Sequence, residues 1–358
     1  MEWRLTQLKN LLRMMEENEM LICEALYKDL RKPKQESLTL EINYCENDIR
    51  GCINNIHKWV ADNYVEKNIV TLMDDTLIHY DPYGVVLIMG AWNYPFMLSL
   101  GPLAGAIAAG NCAIIKPSEI AVATSNIIAT LLPRYLDKEC FQVVEGGVED
   151  TIELLKEKFD YIFFTGSTTV GRKVRDAANK HLTPVTLELG GKCPVYVDSS
   201  ADLDIVARRL LWAKCINLGQ TCIAPDYILC TSQVQSKLVE KMKSILFEWY
   251  GKNPQDSEHL CRIINDRNWQ RLTQLLQSSK GKVVIGGDSD QSDLYIAPTV
   301  VTEVTQEDSL MQEELFGPIF PIMIVTSPQE AVKFINSRPK PLRFKFSYQQ
   351  TKKSFSFF

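Results

Sequence analysis

The fold is decided by residues 84–117, which read G-V-V-L-I-M-G-A-W-N-Y-P-F-M-L-S-L-G-P-L-A-G-A-I-A-A-G-N-C-A-I-I-K-P. Val85–Met89 and Cys112–Lys116 are short and largely apolar, which is typical of buried strands. Phe96–Ala109, between them, consists mostly of small and apolar residues and predicts a helix. Two apolar strands joined by a helix indicate a parallel sheet that is covered on both faces.

The same alternation continues along the chain and predicts two α/β domains. Further strands are expected at Phe141–Glu145, Tyr161–Thr165, Pro194–Val197, Asp226–Cys230, Val283–Ile285 and Phe320–Val325. Further helices are expected at Ala121–Leu136, Thr151–Lys158, Val170–His181, Leu203–Leu218, in a long segment ending near Tyr250, and at Glu330–Asn336. Ligands bind at the carboxyl ends of such parallel strands, so Asn93, Lys116 and the turn Gly166–Gly171 are the first places to look for a site.

Two segments near the N-terminus depart from this alternation. In the first sixty residues, Leu5, Leu8, Leu12 and Met15 recur at helical spacing and predict a packed helix. Residues 63–80 contain two β-type runs on either side of Asp74-Asp75 and predict a hairpin.

Composition and charge argue against several classes of protein. A net charge of −5 without a nucleic-acid-binding signature speaks against a nucleic-acid partner. The uncharged stretch Pro82–Ile115 is interrupted by Gly and Pro too often for a membrane span, and the N-terminus has no signal-peptide core. The ten cysteines form no C-x-x-C pair and the four histidines show no ligand spacing, so no metal site is expected. Reduced thiols favour the cytoplasm.

The segment F-F-T-G-S-T-T-V-G-R-K (163–173) resembles a phosphate loop only in its glycine spacing. The lysine and hydroxyl that an NTPase needs after the second glycine are missing, so an NTPase is a weak hypothesis. A glycine-bounded turn that opens a helix can still hold a pyrophosphate at the helix N-terminus. Gly166, Ser167 and Gly171 are therefore candidate cofactor contacts, and an ordinary strand-to-helix turn is the alternative.

Glu188 lies in L-E-L-G-G-K (187–192), a carboxylate within an apolar strand. Three interpretations stay open from the pattern alone. It could bind a cofactor ribose, since it follows the glycine turn at roughly the expected spacing of about 20 residues. It could be a general base with a raised pKa. It could simply pair with Lys192.

Cys222 stands out because it lies at a turn, G-Q-T-C (219–222), just before an apolar run. Backbone N–H groups of a compact turn could lower the pKa of its thiol and make it a nucleophile. A buried, inert thiol is the alternative.

Two strand ends carry further polar candidates. The amide of Asn93 could donate to an oxyanion, or Asn93 could be an ordinary turn residue. Lys116 and Glu119 could meet ribose hydroxyls, or they could belong to a solvated helix start that Ser118 caps.

Six motifs, in this order, carry a resemblance to a known family. They are A-W-N-Y-P (91–95), I-I-K-P-S-E (114–119), F-T-G-S-T-T-V-G (164–171), L-E-L-G-G-K (187–192), G-Q-T-C-I-A-P-D-Y (219–227) and E-E-L-F-G-P (313–318). Together they resemble the NAD(P)-dependent aldehyde dehydrogenase superfamily over roughly residues 1–340, and W-N-Y-P and C-I-A-P-D-Y resemble its class 3 branch, which acts on fatty or aromatic aldehydes.

The resemblance implies a function and a role for each motif. The chain would oxidise an aldehyde to a carboxylic acid with NAD⁺, or NADP⁺ as an alternative. Cys222 would be the nucleophile, Asn93 an oxyanion donor and Glu188 the base that activates water. The residues expected to contact the cofactor are Lys116, Glu119, Gly166, Ser167, Gly171, Glu314 and Phe316.

The resemblance also implies an architecture. A Rossmann-like dinucleotide-binding domain would comprise residues 1–62 and 81–188, and an α/β catalytic domain residues 189–342. The hairpin at 63–80 would be a small oligomerisation element of a homodimer.

Residues 343–358, R-F-K-F-S-Y-Q-Q-T-K-K-S-F-S-F-F, do not resemble the family. Family members continue with further strands, one of which reaches the partner subunit. We therefore expect an uncovered sheet edge here. A second hypothesis follows, in which the chain is an inactive relative that binds cofactor or a partner without turnover.

Overall fold

The structure is a computed structural model that describes residues 1–348. The chain divides into two compact units, one made of residues 1–29 and 34–188, the other of residues 30–33 and those from 189 onward. Each unit has its own sheet and its own hydrophobic core. The α/β fold class predicted from the sequence is thereby confirmed.

The first unit combines seven helices with seven strands among the described residues. The helices are α1 (Glu2–Leu30), α2 (Lys34–Ser37), α3 (Asn43–Trp59), α4 (Met97–Ala109), α5 (Val122–Tyr135), α6 (Val148–Leu154) and α7 (Thr168–Asn179), with a π-helical turn at Leu38–Ile42. The strands are β1 (Asn63–Tyr64), β2 (Leu77–Ile78), β3 (Val85–Met89), β4 (Cys112–Lys116), β5 (Phe141–Val143), β6 (Tyr161–Gly166) and β7 (Val185–Leu189).

The sheet of the first unit has the order β5-β4-β3-β6-β7. Strand β3 pairs in parallel with both β4 and β6, and β4 pairs in parallel with β5. Gly110 makes the return from α4 to β4 feasible, because it ends the helix in the left-handed conformation at φ 88°. The carboxyl ends of these parallel strands lie along one edge of the sheet, which positions Asn93, Lys116 and the turn after Gly166.

Helices α6 and α7 begin earlier than the sequence predicts, and the difference is larger for α6. The expected range was Thr151–Lys158, whereas α6 spans Val148–Leu154. The reason is local: the backbone N–H of Gly147 donates to the Asp150 carboxylate at 2.8 Å, which caps the helix at Gly147.

The predicted hairpin is present, with shorter strands than the apolar runs indicate. Asn63 pairs with Ile78 and Tyr64 with Leu77 in antiparallel register. Four apolar residues between the two strands are exposed, among them Ile69 at 91% and Met73 at 94%.

The second unit is built around a six-stranded sheet. Its helices are α8 (Leu203–Cys215), α9 (Ser232–Tyr250), α10 (Asp266–Ser278) and α11 (Pro328–Asn336), with 3₁₀ turns at Ile216–Gly219, Pro254–Asp256 and Ser309–Met311. Its strands are β8 (Pro194–Val197), β9 (Tyr227–Cys230), β10 (Lys282–Ile285), β11 (Ser289–Asp290), β12 (Tyr295–Ile296), β13 (Thr299–Thr302), β14 (Ile319–Ile324) and β15 (Lys345–Ser347). The order is β10-β13-β14-β9-β8-β15, and β10 is antiparallel to its neighbour while the other pairs are parallel.

Strand β15 covers β8 and is itself the outer strand of the sheet in the described residues. Residues Lys345–Ser347 pair in parallel with β8, and the N–H of Asp198 donates to the Ser347 carbonyl at 3.0 Å. The Phe346 ring stacks on Tyr196 at a centroid distance of 5.3 Å. The rest of the predicted atypical tail, from residue 349, lies outside the described residues.

Among the helices of residues 1–348, none is long and apolar enough to cross a membrane.

Candidate active site

The turn before Cys222 has an unusual backbone. Helix α8 ends at Cys215 rather than at the expected Leu218, and Asn217, Leu218 and Gly219 then take left-handed φ values of 48°, 51° and 74°. A Cβ on Gly219 would lie 2.4 Å from the carbonyl oxygen of Gly317. Only glycine therefore fits this position, and the turn brings the chain close to the E-E-L-F-G-P segment.

Gln220 holds this turn in place from inside the protein. Its fully buried side chain donates from Nε2 to the carbonyls of Asn217 at 3.1 Å and Arg262 at 3.0 Å, and its Oε1 accepts from the N–H of Ile264 at 3.0 Å. Buried amides that satisfy both ends in this way fix a loop in one conformation. The sequence pattern does not single out Gln220. The one feature of the sequence that could have drawn attention to Gln220 is its place as an uncharged polar residue between Gly219 and Thr221.

The Cys222 thiol is half-buried at the end of the turn. Burial is the main cause that raises its pKa, and the Glu314 carboxylate and the Cys193 thiol raise it further. The backbone N–H groups of Cys222 and Ile223 act in the opposite direction. The sequence leaves open that the turn lowers this pKa. The backbone N–H groups are in place, but burial outweighs them.

Glu314 is the second acidic group of this site. Burial raises the pKa of its carboxyl to about 7, while the N–H of Gly191 donates to Oε1 at 3.2 Å and partly opposes this shift. A Cβ on Gly190 would lie 2.3 Å from Oε2. The two glycines of L-E-L-G-G-K therefore make room for this carboxylate and bind it.

Lys192 and Asp226 connect the motifs of the second unit. Lys192 Nζ lies 3.2 Å from Asp226 Oδ2 and donates to the Glu313 carbonyl at 2.9 Å. Asp226 Oδ1 accepts from the N–H of Leu315 at 3.2 Å. The suggested pairing of Lys192 with Glu188 is wrong, because Asp226 is the buried carboxylate that neutralises this lysine.

Lys214 is a buried cation that no motif indicates. Its side chain is fully buried, with Nζ 5.0 Å above the ring of Phe320, and burial lowers its pKa to about 8. Phe316 is also constrained, with a left-handed φ of 54°. The second unit thus places Cys222, Glu314 and Phe316 on segments fixed by buried polar contacts.

The first unit holds the other predicted residues. Asn93 is buried and follows the end of β3. Glu188 lies near the end of β7 with an exposed side chain, in contrast to the buried position expected from its apolar neighbours. The carboxylate of Glu188 is therefore available to solvent.

Lys116 and Glu119 form an ion pair at the end of β4, with 2.8 Å between Nζ and Oε2. Lys116 is buried, so the solvated helix start is wrong for this residue. Ser118 is not the cap of α5 either. The Asp29 carboxylate caps that helix, accepting from the N–H groups of Ala123 at 2.9 Å and Thr124 at 2.8 Å.

The glycine-bounded turn leads from β6 into α7. Gly166 ends β6, and Ser167 caps α7 through its hydroxyl, which accepts from the N–H of Val170 at 3.3 Å. Residues 167–170 are exposed and Gly171 is buried. The first turn of α7 is therefore open to an anionic group.

A metal centre finds no support in the part of the chain that the structure describes, since residues 1–348 contain no group of three or more His, Cys, Asp or Glu side chains arranged to hold an ion.

These features define a class of protein: an α/β enzyme with a thiol on a constrained turn. The sequence model of the aldehyde dehydrogenase family matches residues 1–344. The chain belongs to the aldehyde dehydrogenase family and is an enzyme of that family, which oxidises aldehydes. The resemblance stated from the six motifs is thereby confirmed.

Within the family, the chain is similar to the family 3 members. Aldehyde dehydrogenase family 3 member B1 of Bos taurus is 52% identical over 95% of this chain and 72% of its own length. The "dimeric NADP-preferring" aldehyde dehydrogenase of Mus musculus is 49% identical over 96% and 75%. A substrate-bound state of Staphylococcus aureus AldH is 42% identical, with a TM-score of 0.96 over 98% of this chain and 76% of its own.

Proposed function

We propose that the chain oxidises aldehydes to carboxylic acids through a covalent intermediate on Cys222, with NAD⁺ as the preferred hydride acceptor. The observation that carries this proposal is the Cys222 turn. A half-buried thiol follows three left-handed residues, and buried contacts of Gln220 fix the loop. A nucleophile needs such a fixed position to meet a carbonyl carbon in one orientation.

The chemistry begins when the Cys222 thiolate adds to the aldehyde carbon and forms a carbon–sulfur bond. The developing oxyanion accepts hydrogen bonds from the Asn93 amide and from the backbone N–H of Cys222. A bound NAD⁺ or NADP⁺ would supply the acceptor for the hydride that leaves this carbon, and Cys222 would then carry a thioester. Glu188 then takes a proton from the water that hydrolyses this thioester.

The polar groups at the strand ends of the first unit fit a dinucleotide. The exposed first turn of α7, after Gly166, offers N–H groups to a phosphate, with Ser167 and Gly171 beside it. The ion pair Lys116–Glu119 presents a cation and a carboxylate to ribose hydroxyls at the end of β4. In the second unit, Glu314 would bind the nicotinamide ribose, and Phe316 would pack beside that ring. We propose a dinucleotide-binding role for the first unit and a catalytic role for the second.

The exposed hairpin of the first unit bears on how the chain associates with a second copy. We infer that the chain forms a homodimer through the hairpin of β1 and β2, because apolar side chains there are almost fully exposed. A relative at 49% identity is named as dimeric, which supports this inference.

The experiment compares NADH formation by the wild-type chain and by Cys222→Ser with a medium-chain or aromatic aldehyde. Cys140→Ser, assayed under reducing conditions, is the matched control, because Cys140 is also half-buried. We expect turnover in the wild type and the control, and none in Cys222→Ser. A folded wild-type chain that binds NAD⁺ without turnover would instead support the inactive relative, and turnover in Cys222→Ser would exclude Cys222 as the nucleophile.

A further inference from the structure

The thiols of this chain are not equally accessible. All ten cysteines lie within the described residues and none forms a disulfide; seven are buried, while Cys112, Cys140 and Cys222 are half-buried. Cys222 belongs to the candidate active site. The two other accessible thiols both lie in the first unit, Cys112 at the start of β4 and Cys140 directly before β5, and the proposed reaction does not use either of them.

Strand register brings Cys112 and Cys140 side by side. Ala113 of β4 pairs with Phe141 of β5, so the residues directly before them, Cys112 and Cys140, also face each other. The N–H of Ala113 donates to the Cys140 carbonyl at 2.9 Å, which fixes this alignment. Neighbouring strands are about 4.8 Å apart, within the roughly 4.4–6.8 Å between Cα atoms that a disulfide requires.

The pKa of the Cys140 thiol also depends on Cys112. Burial raises the pKa of the Cys140 thiol to about 11, and a hydrogen bond with the Cys112 thiol is the second cause of this shift. Cys140 belongs to the turn that precedes β5 rather than to the strand itself, so the sheet ladder does not fix its side-chain direction. Bond formation then requires rotation of one or both side chains to bring the sulfurs together.

We propose that Cys112 and Cys140 form a redox-active pair that closes to a reversible disulfide between β4 and β5 on exposure to a low-molecular-weight disulfide such as oxidised glutathione. One thiolate attacks the small disulfide, forms a mixed disulfide and releases one thiol. The second sulfur then attacks the mixed disulfide and releases the other. The two cysteines lose two electrons and two protons, and the small disulfide is reduced to two thiols.

The bond would act on the fold rather than on the proposed reaction centre. It would tie β5, an outer strand of the sheet, to β4 and close a loop over residues 113–139, which restricts the unfolded chain. Cys112 begins β4 whereas Lys116 ends it, so the pair lies at the opposite end of the strand from the proposed cofactor contacts. The disulfide should therefore stabilise the first unit without blocking that edge.

Burial and, to a smaller extent, neighbouring charges slow the reaction of the Cys140 thiol. The Asp137 and Glu139 carboxylates add to the upward pKa shift of the Cys140 thiol. Because the thiolate is the attacking species, oxidation should be slow at neutral pH and faster at alkaline pH.

The test uses the full-length chain with Cys222→Ser, which removes the third accessible thiol. The protein is incubated with oxidised glutathione, the remaining thiols are alkylated, and the products are identified by mass spectrometry. We expect the loss of two thiols without a retained glutathione, a linked Cys112–Cys140 peptide, and a rise in the midpoint of thermal unfolding that dithiothreitol reverses.

The single variants Cys112→Ser and Cys140→Ser, each in the same Cys222→Ser chain, are matched controls. Each should keep glutathione on the remaining cysteine and show no rise in the unfolding midpoint. Stable glutathione on both cysteines of the unsubstituted pair, or a disulfide from either to another cysteine, would overturn the proposal. This peptide mapping decides the pairing even where a single variant does not fold. It also needs no turnover, so it is independent of the proposed reaction.

Discussion

The charge of Glu314 acts on the Cys222 thiol. The Glu314 carboxylate raises the pKa of the Cys222 thiol, and burial keeps the pKa of Glu314 itself near 7. Around neutral pH the carboxyl is therefore partly protonated, which limits its repulsion of the thiolate. Above that pH it is ionised and opposes formation of the nucleophile.

Glu314→Gln should lower the pKa of the Cys222 thiol, because it removes a negative charge that disfavours the thiolate. A shift of a few tenths to about one unit is expected for such a charge. The rate of alkylation of Cys222 by iodoacetamide, measured against pH, reports this value. Glu313→Gln is the matched control, since Glu313 pairs with Arg271 at 2.8 Å and does not contribute to the thiol's pKa shift. An unchanged profile in Glu314→Gln would contradict the coupling.

Glu119→Gln should improve the use of NADP⁺ relative to NAD⁺. If Glu119 faces the ribose, its carboxylate repels a 2′-phosphate by roughly 1 kcal/mol, so its removal should lower KM for NADP⁺ about fivefold. Lys116 stays in place and keeps its charge. Steady-state kinetics with both cofactors measures the ratio. Glu149→Gln, in the first turn of α6, is the control. Equal changes for the two cofactors would show that Glu119 does not face the phosphate.

At the scale of elements, two short segments have the largest consequences. The 3₁₀ turn that ends at Gly219 positions the nucleophile, and the hairpin of β1 and β2 carries exposed apolar side chains. The hairpin lies outside both hydrophobic cores, so its sequence can be tested without dismantling the sheets, whereas Leu218 of the 3₁₀ turn is fully buried in the core of the second unit.

Gly219→Ala should destabilise the chain and disturb the Cys222 turn. Alanine adds a left-handed strain of about 1–3 kcal/mol and also a Cβ only 2.4 Å from the Gly317 carbonyl oxygen. Gly251→Ala is the matched control, because Gly251 also has a positive φ, 70°, but has nothing within 4 Å of the added Cβ. The free energy of unfolding in urea and the rate of Cys222 alkylation should both change more in Gly219→Ala than in Gly251→Ala. Equal losses in the two variants would mean that backbone strain alone matters.

Met73→Lys should weaken self-association, because it places a charge in the exposed apolar surface of the hairpin. The variant should keep its fold, since Met73 is 94% exposed. Ile152→Lys, a half-exposed apolar position on α6 at 54%, is the control for a general effect of charge. Sedimentation velocity measures the association state. A dimer that persists in Met73→Lys at micromolar concentration would place the interface elsewhere.

At the scale of the whole molecule, the α/β fold could be predicted because apolar strands alternate with helices. The pattern failed where elements are short or polar. Strand β15 contains Lys345 and Ser347 around a single aromatic residue, and helix α10 is polar over most of its surface. Their positions depend on tertiary pairing, which propensity does not report.

The candidate site was predicted unevenly for a related reason. The motif order identifies Cys222, Glu188 and Asn93 as candidates, but burial and partners are properties of the fold. The amide network of Gln220, the buried Lys214 and the pairing of Lys192 with Asp226 each depend on residues distant in sequence. The upward shift of the Cys222 pKa follows from the same burial.

The most direct test of the central claim is to look for the covalent intermediate. In Glu188→Gln, the proposed base is lost, so a thioester should accumulate after a single burst of NADH. Acid quenching, proteolysis and mass spectrometry should then find the acyl group on Cys222, with kcat reduced. A raised KM for NAD⁺ with kcat retained and no acyl group on Cys222 would contradict both the nucleophile and the base assigned here.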